Sequence, residues 1–229
     1  MMIKNTTGKM SEQPKTIQEQ AQEAIAEQNP SGWFEPLYAN AKGDSTQVPW
    51  AKKQAHPYLQ QWLETKLPQT DDKSALVVGC GLGDDAELLA SVGCRVTAFD
   101  ISQSAIAWCK QRFPESKVDY QVGDLFALNP NWQNKFDLVY ECRNIQALPL
   151  SVRSQIIKAI AKTVAHRGTL LIITRHRDNN TIPDGPPWAL ADDELNQFTQ
   201  FGFSEVKRDV FIEGDIKQNR IEYRRRSTN

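Results

Sequence analysis

Residues 75–83, Ala-Leu-Val-Val-Gly-Cys-Gly-Leu-Gly, constrain the fold of this chain more than any other stretch. A short apolar run ends in three glycines at alternate positions, and an acidic, helix-like segment begins at Asp84. This pattern predicts a buried parallel strand that leads into a glycine turn, which is where doubly wound α/β proteins bind nucleotide-like cofactors. Glycine is expected there because a Cβ atom would keep a cofactor away from the backbone, and because such turns often need positive φ.

The spacing of the three glycines narrows the kind of cofactor. Gly79, Gly81 and Gly83 form a Gly-x-Gly-x-Gly pattern, whereas a dinucleotide pyrophosphate favours Gly-x-Gly-x-x-Gly. The difference favours S-adenosylmethionine, which has no phosphate. A tight turn without a ligand is the alternative, because a glycine-rich turn alone is weak evidence.

Strands and helices alternate regularly around this turn. We predict strands over 75–79, 95–100, 118–122, 136–141, 168–174, 203–211 and 219–226, and helices over 84–92, 102–113, 150–165 and 191–200. Strands joined through helices form parallel sheets by right-handed crossovers, and the last two strands, joined by a short turn, form an antiparallel pair. The sequence therefore predicts an α/β, Rossmann-like three-layer sandwich with a seven-stranded, mostly parallel sheet and a terminal antiparallel hairpin.

The length of 229 residues fits a single domain. Within this domain, 1–229, we expect a disordered terminus at 1–12, a helical and aromatic cap over 13–66, and the α/β core over 74–226. In the cap, the sequence predicts helices over 14–28 and 57–66 on either side of an irregular aromatic segment.

Composition and charge exclude several classes of function. A net charge of −1 gives no overall attraction to nucleic acid or to an anionic membrane. The four cysteines, Cys80, Cys94, Cys109 and Cys142, lack the spacing of metal ligands, so we expect no metal. We find no apolar run of 18 residues and no signal-peptide core, and we expect a cytoplasmic protein that is a monomer or a weak homodimer.

Acidic residues follow the next two strands. Asp100 ends the second strand, where a carboxylate can accept hydrogen bonds from both hydroxyls of a ribose; capping of the following helix is the alternative. Asp124, with Leu125 after it, follows the third strand, where the carboxylate can bind an adenine amino group and the apolar side chain can flank the ring. A loop acid beside a core residue is the alternative.

Polar side chains also follow the fourth and fifth strands. Glu141 and Arg143 lie at the carboxyl end of the fourth strand, where ligands bind in open α/β sheets. A structural ion pair between them is the alternative. His176, in Arg175-His176-Arg177 after the fifth strand, lies in either a basic rim that attracts an anionic substrate or a solvated loop. We take Glu141, Arg143 and His176 as candidate catalytic residues.

Residues 76–106 resemble the thiopurine S-methyltransferase-like family, a branch of the class I methyltransferases that includes halide and thiol methyltransferases: LVVGCGLGDDAELLASVGCRVTAFDISQSAI. Val77, two positions before the first glycine, agrees with this branch, whereas most class I enzymes have an acid there. Other stretches agree as well: Trp33–Tyr38 with Val48–Trp50, Asp124–Phe126 with Phe136–Asp137, and Gly185–Trp188 with Phe201–Phe203. The resemblance runs from about Trp33 to Arg226. One departure is Tyr140-Glu141-Cys142-Arg143, where the thiopurine enzymes have Trp-Asp-Arg-Gly, so the arginine is displaced by one position.

The resemblance implies an S-adenosylmethionine-dependent methyltransferase with a small-molecule acceptor. It also implies cofactor contacts from Gly79, Gly81, Gly83, Asp100, Ile101, Asp124 and Leu125, with Trp33 and Trp50 lying over the cofactor. We add Glu141 to the cofactor contacts because it lies at the carboxyl end of the fourth strand. A hydrophobic plug on the sheet edge is the alternative for the two tryptophans.

We expect in-line methyl transfer to sulfur, halide or a similar polarisable atom, because such acceptors need no dedicated base. An oxygen or nitrogen acceptor would need one, and Glu141 and His176 are the candidates. Two other functions stay open. A nicotinamide-dependent oxidoreductase would also use Asp100. A cofactor-binding module without catalysis could use the basic residues Arg220 and Arg224–Arg226 to bind RNA or an acidic partner.

Overall fold

The computed structural model describes residues 15–66 and 70–227. The predicted disorder at 1–12 lies outside the described residues. Within them, no helix has both the length and the apolar character that a membrane crossing requires.

The described strands form one seven-stranded sheet. They are β1 (Ser74–Val78), β2 (Arg95–Asp100), β3 (Asp119–Val122), β4 (Phe136–Cys142), β5 (Val164–Arg175), β6 (Phe203–Glu213) and β7 (Ile216–Arg225). Their order is β3-β2-β1-β4-β5-β7-β6; the first five are parallel, and β7 lies antiparallel between β5 and β6. This confirms the predicted α/β sandwich and its terminal antiparallel hairpin.

The strand order fixes where a ligand would bind. From β1 the chain proceeds outward to β2 and β3, and then returns to place β4 on the other side of β1. Ligands of open α/β sheets bind beyond the carboxyl ends of the strands at such a reversal. The glycine turn after β1 and the polar residues after β4 both lie at this edge.

The described helices cover the sheet and build the N-terminal cap. They are α1 (Ile17–Ala26), α2 (Phe34–Ala41), α3 (Pro57–Glu64), α4 (Asp84–Ser91), α5 (Gln103–Arg112), α6 (Arg153–Thr163) and α7 (Asp192–Leu195). A 3-10 helix, Asn196–Phe201, continues α7, so the predicted helix over 191–200 is mostly 3-10.

Helix α2 corrects one prediction, the irregular aromatic segment expected between the two cap helices. Its proline and glycine content suggested a loop. However, Pro36 occupies the first turn of the helix, where a missing N–H group costs no hydrogen bond. The apolar side chains of Leu37 and Tyr38 then become buried against the rest of the cap.

Alternate residues of the central strands pack into two separate cores. On one face, Leu76 and Val139 pack with Ile156 and Ile160 of α6. On the other face, residues of the same strands pack with α3, α4 and α5: Ala75, Val77, Leu138, Leu59, Trp62, Leu89 and Ile106. Burial on both faces explains why these strands are continuous apolar runs in the sequence.

Candidate functional site

The turn after β1 requires glycine, both for its backbone conformation and for its close contact with a neighbouring side chain. Gly79, Gly81 and Gly83 have φ values of +55°, +53° and +89°, a region that other residues adopt at a cost. A Cβ atom on Gly79 would also lie 1.9 Å from Oδ1 of Asn144. Asn144 reaches the turn from the end of β4 and donates from Nδ2 to the Val78 carbonyl, at 2.7 Å. The turn is therefore packed against the loop after β4.

Asp100 holds the glycine turn from the end of β2. Its Oδ2 accepts a hydrogen bond from the Gly81 N–H and its Oδ1 accepts one from the Ser102 N–H, both at 2.9 Å. Burial raises the pKa of this carboxyl, and the two backbone donors oppose that shift. The cap of α5 is Ser102, whose Oγ accepts from the Ala105 N–H, and not Asp100. A carboxylate offers about four acceptor positions, so Asp100 keeps capacity for ribose hydroxyls.

The predicted adenine-binding residues lie next to Asp100. The Gly123 N–H donates to the Asp100 carbonyl at 2.9 Å, which brings the start of this loop to the end of β2. Asp124 Oδ1 accepts from the Phe126 N–H at 2.8 Å, and Ile101 is half-buried. Leu125 packs into the core between the sheet and α6. The structure thus brings these residues to one strand edge, and their cofactor contacts stay a prediction.

Four aromatic side chains, which we call the aromatic cap, pack beside the glycine turn: Trp33, Phe34, Tyr38 and Trp50. Trp33 stacks on Phe34 with 4.0 Å between ring centroids, and it meets Trp50 edge-on at 5.8 Å. Trp50, 39% exposed, donates from Nε1 to the Tyr38 hydroxyl at 2.7 Å. The Tyr38 hydroxyl in turn lies 3.1 Å from the position that a Cβ atom on Gly81 would take.

The aromatic cap has features of a ligand-binding surface. Trp33 is buried, and its Nε1 has no hydrogen-bond partner within the described part of the chain. Flat aromatic faces favour both an adenine ring and a sulfonium cation. Tyr38 was missed as a site residue by the sequence reading, although it ends the Trp33–Tyr38 stretch that carried the resemblance. The contact of the Tyr38 hydroxyl with Gly81 shows that Tyr38 lies beside the glycine turn.

Glu35 fastens the cap to the core. Its carboxylate accepts hydrogen bonds from Ser102 Oγ at 2.6 Å and from the N–H and Oγ of Ser104 at 3.0 and 2.7 Å. The N-terminus of α5 carries partial positive charge, which favours a carboxylate there. The segment that bears the aromatic cap is therefore anchored directly after Asp100.

A second group of polar residues, which we call the arginine cluster, lies at the carboxyl ends of β4 and β5 and beside the turn between β6 and β7. It consists of Arg143, Arg175, Glu213 and Gln218. Arg143 has φ +65°, and its Nη2 donates to Gln218 Oε1. Gln218 pairs with Arg175 across β5 and β7, so their side chains share a face of the sheet. Arg143 therefore binds a glutamine that lies directly opposite Arg175 in the sheet.

Glu141 does not form the ion pair with Arg143 that the sequence left open. It is fully buried, and its Oε1 accepts from the backbone N–H groups of Asn144 at 2.5 Å and Ile145 at 2.9 Å. Burial raises the pKa of Glu141 to about 7, although these two donors oppose the shift. Its observed contacts fix the loop after β4, and a role in catalysis or cofactor binding stays a prediction.

Asp85, His56 and Tyr58, which the sequence did not assign to the site, lie between the arginine cluster and the glycine turn. Asp85, in the first turn of α4, accepts from the His56 N–H at 2.6 Å and from the Tyr140 hydroxyl at 3.1 Å. Tyr58 donates from its hydroxyl to Glu213. Asp85 comes two residues after Gly83, so its position near the glycine turn is the one that the sequence could have indicated.

Burial and neighbouring charges shift the pKa values of these residues. Burial raises the pKa of Asp85 to about 6. Burial, together with the nearby Arg143 charge, lowers the pKa of His56 to about 4. Burial and the Glu213 carboxylate raise the pKa of Tyr58 to about 12. Near pH 7, His56 and Tyr58 are therefore both neutral.

The three residues Arg175-His176-Arg177 have different surroundings, and they form neither a continuous rim nor a solvated loop. The His176 imidazole is buried, and its Nε2 lies 3.4 Å from Asp192 Oδ1 of α7. Arg177 donates to the Ala189 carbonyl at 2.8 Å and pairs with Glu194 at 3.0 Å. The structure brings only Arg175 to the arginine cluster, so the catalytic role of His176 stays a prediction without a contact to support it.

The residues present fit S-adenosylmethionine at the edge between β1 and β2. The glycine turn permits close backbone approach, Asp100 keeps acceptor capacity, and the aromatic cap with its unpartnered Trp33 Nε1 lies beside the turn. Among residues 15–66 and 70–227, no three His, Cys, Asp or Glu side chains could hold a metal ion together.

Comparisons with known proteins agree with this site. The family model for thiopurine S-methyltransferase matches residues 40–225. A probable thiol methyltransferase 2 of Arabidopsis thaliana is 27% identical over 188 residues, covering 80% of this chain and 77% of the plant protein. A thiopurine S-methyltransferase of Aliivibrio salmonicida (strain LFI1238) is 25% identical over 183 residues, covering 72% and 82%.

A solved structure shares the fold. The magnesium protoporphyrin IX methyltransferase of Synechocystis PCC 6803, determined with bound SAH, superposes with a TM-score of 0.67 at 16% identity. The match covers 84% of this chain and 98% of that protein.

Proposed function

Because this chain belongs to the thiopurine S-methyltransferase family and is an S-adenosylmethionine-dependent methyltransferase, we propose that its acceptor is the sulfur atom of a small-molecule thiol. The names of the plant and bacterial relatives, a thiol and a thiopurine methyltransferase, support sulfur over the halides that the sequence also allowed.

We assign the cofactor to the edge between β1 and β2. The glycine turn would approach its amino-acid part, Asp100 its ribose, and Asp124 with Ile101 and Leu125 its adenine. When bound, S-adenosylmethionine supplies an electrophilic methyl group that the acceptor takes in line. Trp33 and Trp50 exclude water from this side in the proposal, and holding the reactants in line contributes about 7–11 kcal/mol toward lowering the barrier.

The titratable groups around Arg143 support a sulfur acceptor over an oxygen acceptor. His56 is a poor base because its pKa is about 4, and Asp85 already accepts from two protein donors. Tyr58 stays protonated at neutral pH because its pKa is about 12. An alcohol would need a base to take its proton, and the carboxylates of Asp85 and Glu141, close to Arg143, already accept hydrogen bonds from the protein. A thiol is partly ionised near neutral pH and needs no such base. The fixed positive charge of Arg143 further favours the thiolate.

Calorimetric titration with S-adenosylhomocysteine tests the cofactor site. We expect micromolar binding that Asp100→Ala reduces at least tenfold. Asp119→Ala, which removes an exposed acid from the opposite end of β3, serves as the matched control and is expected to bind normally. No binding by the natural protein would contradict the proposed cofactor site.

Methylation of thiophenol, phenol and aniline tests the acceptor atom, because these compounds differ only in the atom that receives the methyl group. We expect transfer to thiophenol to exceed transfer to the other two by at least 100-fold in kcat/KM. Faster methylation of phenol or aniline would exclude a sulfur acceptor while leaving the cofactor site intact.

A further inference from the structure

Arg143 and Arg175 hold two guanidinium groups at the edge where the acceptor would enter. Arg143 follows β4, and its N–H donates to the Ile173 carbonyl of β5 at 2.9 Å. Arg175 ends β5 two residues later, opposite Gln218, which binds the Arg143 guanidinium. Burial lowers the pKa of Arg175, and the nearby Arg143 charge lowers it further.

Neither guanidinium has a carboxylate partner at ion-pair distance in the described part of the chain. Arg143 Nε is buried without a hydrogen-bond partner among these residues, and its Nη2 binds the neutral amide of Gln218. The nearest acids are already engaged: Glu213 accepts from Tyr58, and Asp85 accepts from His56 and Tyr140. Buried guanidinium donors are costly to leave unpaired.

We propose that Arg143 and Arg175 bind a carboxylate group of the methyl acceptor, so that the substrate is a small mercapto-carboxylate. This inference rests on the proposed function of the site. A guanidinium presents its donors in a planar fork that matches the two oxygens of a carboxylate. The unpartnered Nε of Arg143 is one edge of such a fork, and the neighbouring Arg175 supplies the second charge.

The position of the pair suits an acceptor that must face the cofactor. Asn144, the residue after Arg143, contacts both Val78 and the Gly79 position of the glycine turn. An acceptor anchored by its carboxylate at Arg143 therefore has its other end within a short distance of that turn. The arginines orient the acceptor in this proposal, and the thiol carries the reactivity.

Binding to the protein saturated with S-adenosylhomocysteine tests the inference without requiring turnover. The probes are mercaptoacetate and mercaptoacetamide, which share the thiol and differ in the charge of the other end. We expect mercaptoacetate to bind at least tenfold more tightly. Arg143→Gln and Arg175→Gln should each reduce that preference at least fivefold, with the affinity for S-adenosylhomocysteine changed less than twofold. Arg226→Gln, which alters an exposed arginine just after the end of β7, should keep the preference.

Each outcome decides the inference. Equal binding of the two probes, or binding of neither, overturns it while leaving the cofactor site established by S-adenosylhomocysteine. Failure to bind S-adenosylhomocysteine overturns the proposed function and this inference with it. If either glutamine variant fails to fold, the comparison of the two probes on the natural protein still decides.

Discussion

The hydroxyl oxygen of Tyr38 lies 3.1 Å from the position that a Cβ atom on Gly81 would take. The Tyr38 hydroxyl oxygen is thus the contact between the aromatic cap and the glycine turn, and it also accepts a hydrogen bond from Trp50. Gly81 therefore has two separate reasons to be glycine, its φ of +53° and this contact.

We predict that Gly81→Ala destabilises the fold by more than backbone strain alone. Placing alanine at positive φ costs about 1 kcal/mol. Gly214→Ala is the matched control, because Gly214 has φ +59° and no atom within 4 Å of its Cβ position. Urea unfolding should give a larger loss for Gly81→Ala than for Gly214→Ala, and a double-mutant cycle with Tyr38→Phe should show coupling. Equal losses and no coupling would contradict the contact.

We predict that Glu35→Gln weakens the attachment of the cap by about 1–2 kcal/mol at pH 7. Burial raises the pKa of Glu35, but hydrogen bonds from Ser102 and Ser104 outweigh it and leave the pKa lowered. A carboxylate with a lowered pKa stabilises the fold above its unfolded pKa and loses that effect as the pH falls through its folded pKa. The difference from the natural protein should therefore shrink below about pH 4. Glu115→Gln, at an exposed loop, should change little at any pH.

We predict that Glu141 makes the fold less stable as the pH rises. Its unfolded pKa is about 4.3, whereas burial raises its folded pKa to about 7. Between these values the native state keeps a proton that the unfolded chain has released, so stability falls with rising pH by about 4 kcal/mol in total. The melting temperature of Glu141→Gln should therefore rise relative to that of the natural protein from pH 4 to 8. A difference that is independent of pH, as expected for the exposed control Glu64→Gln, would exclude this assignment.

We predict that Arg220→Gln destabilises the fold by about 2 kcal/mol, because it removes a buried guanidinium that bonds the half-buried Asp209 carboxylate and the Tyr58 carbonyl. Arg220 is 7% exposed, pairs with Asp209 at 2.7 Å and donates to the Tyr58 carbonyl at 2.6 Å. Arg226→Gln, at an exposed position, should change the free energy of unfolding by less than about 0.5 kcal/mol. Equal effects of the two substitutions would show that Arg220 has no structural role. Binding of RNA or an acidic partner by Arg220 and Arg224–Arg226 would then again be an alternative.

The sequence was sufficient to predict the sheet and the strand edge at which the cofactor residues lie. Apolar runs mark strands that are buried on both faces, and parallel strands bring their carboxyl ends to one edge whatever the details of packing. Residues placed directly after those strands, such as Gly81, Asp100 and Asp124, are therefore found together. The sequence does not predict helix α2, because proline disfavours the interior of a helix. Pro36 is compatible with α2 because it lies in the first turn.

Long-range packing decided the rest of the site. Tyr38 reaches Gly81 from helix α2, which Glu35 fastens to α5, and no local pattern encodes that attachment. Arg175 and His176 are adjacent in the sequence, so in a strand they must point to opposite faces. Which of them joins Arg143 depends on the pairing of β5 with β7 through Gln218, and that register is set by contacts between distant segments. The sequence by itself determined which strand ends carry the chemistry, and the tertiary structure decided which side chains meet there.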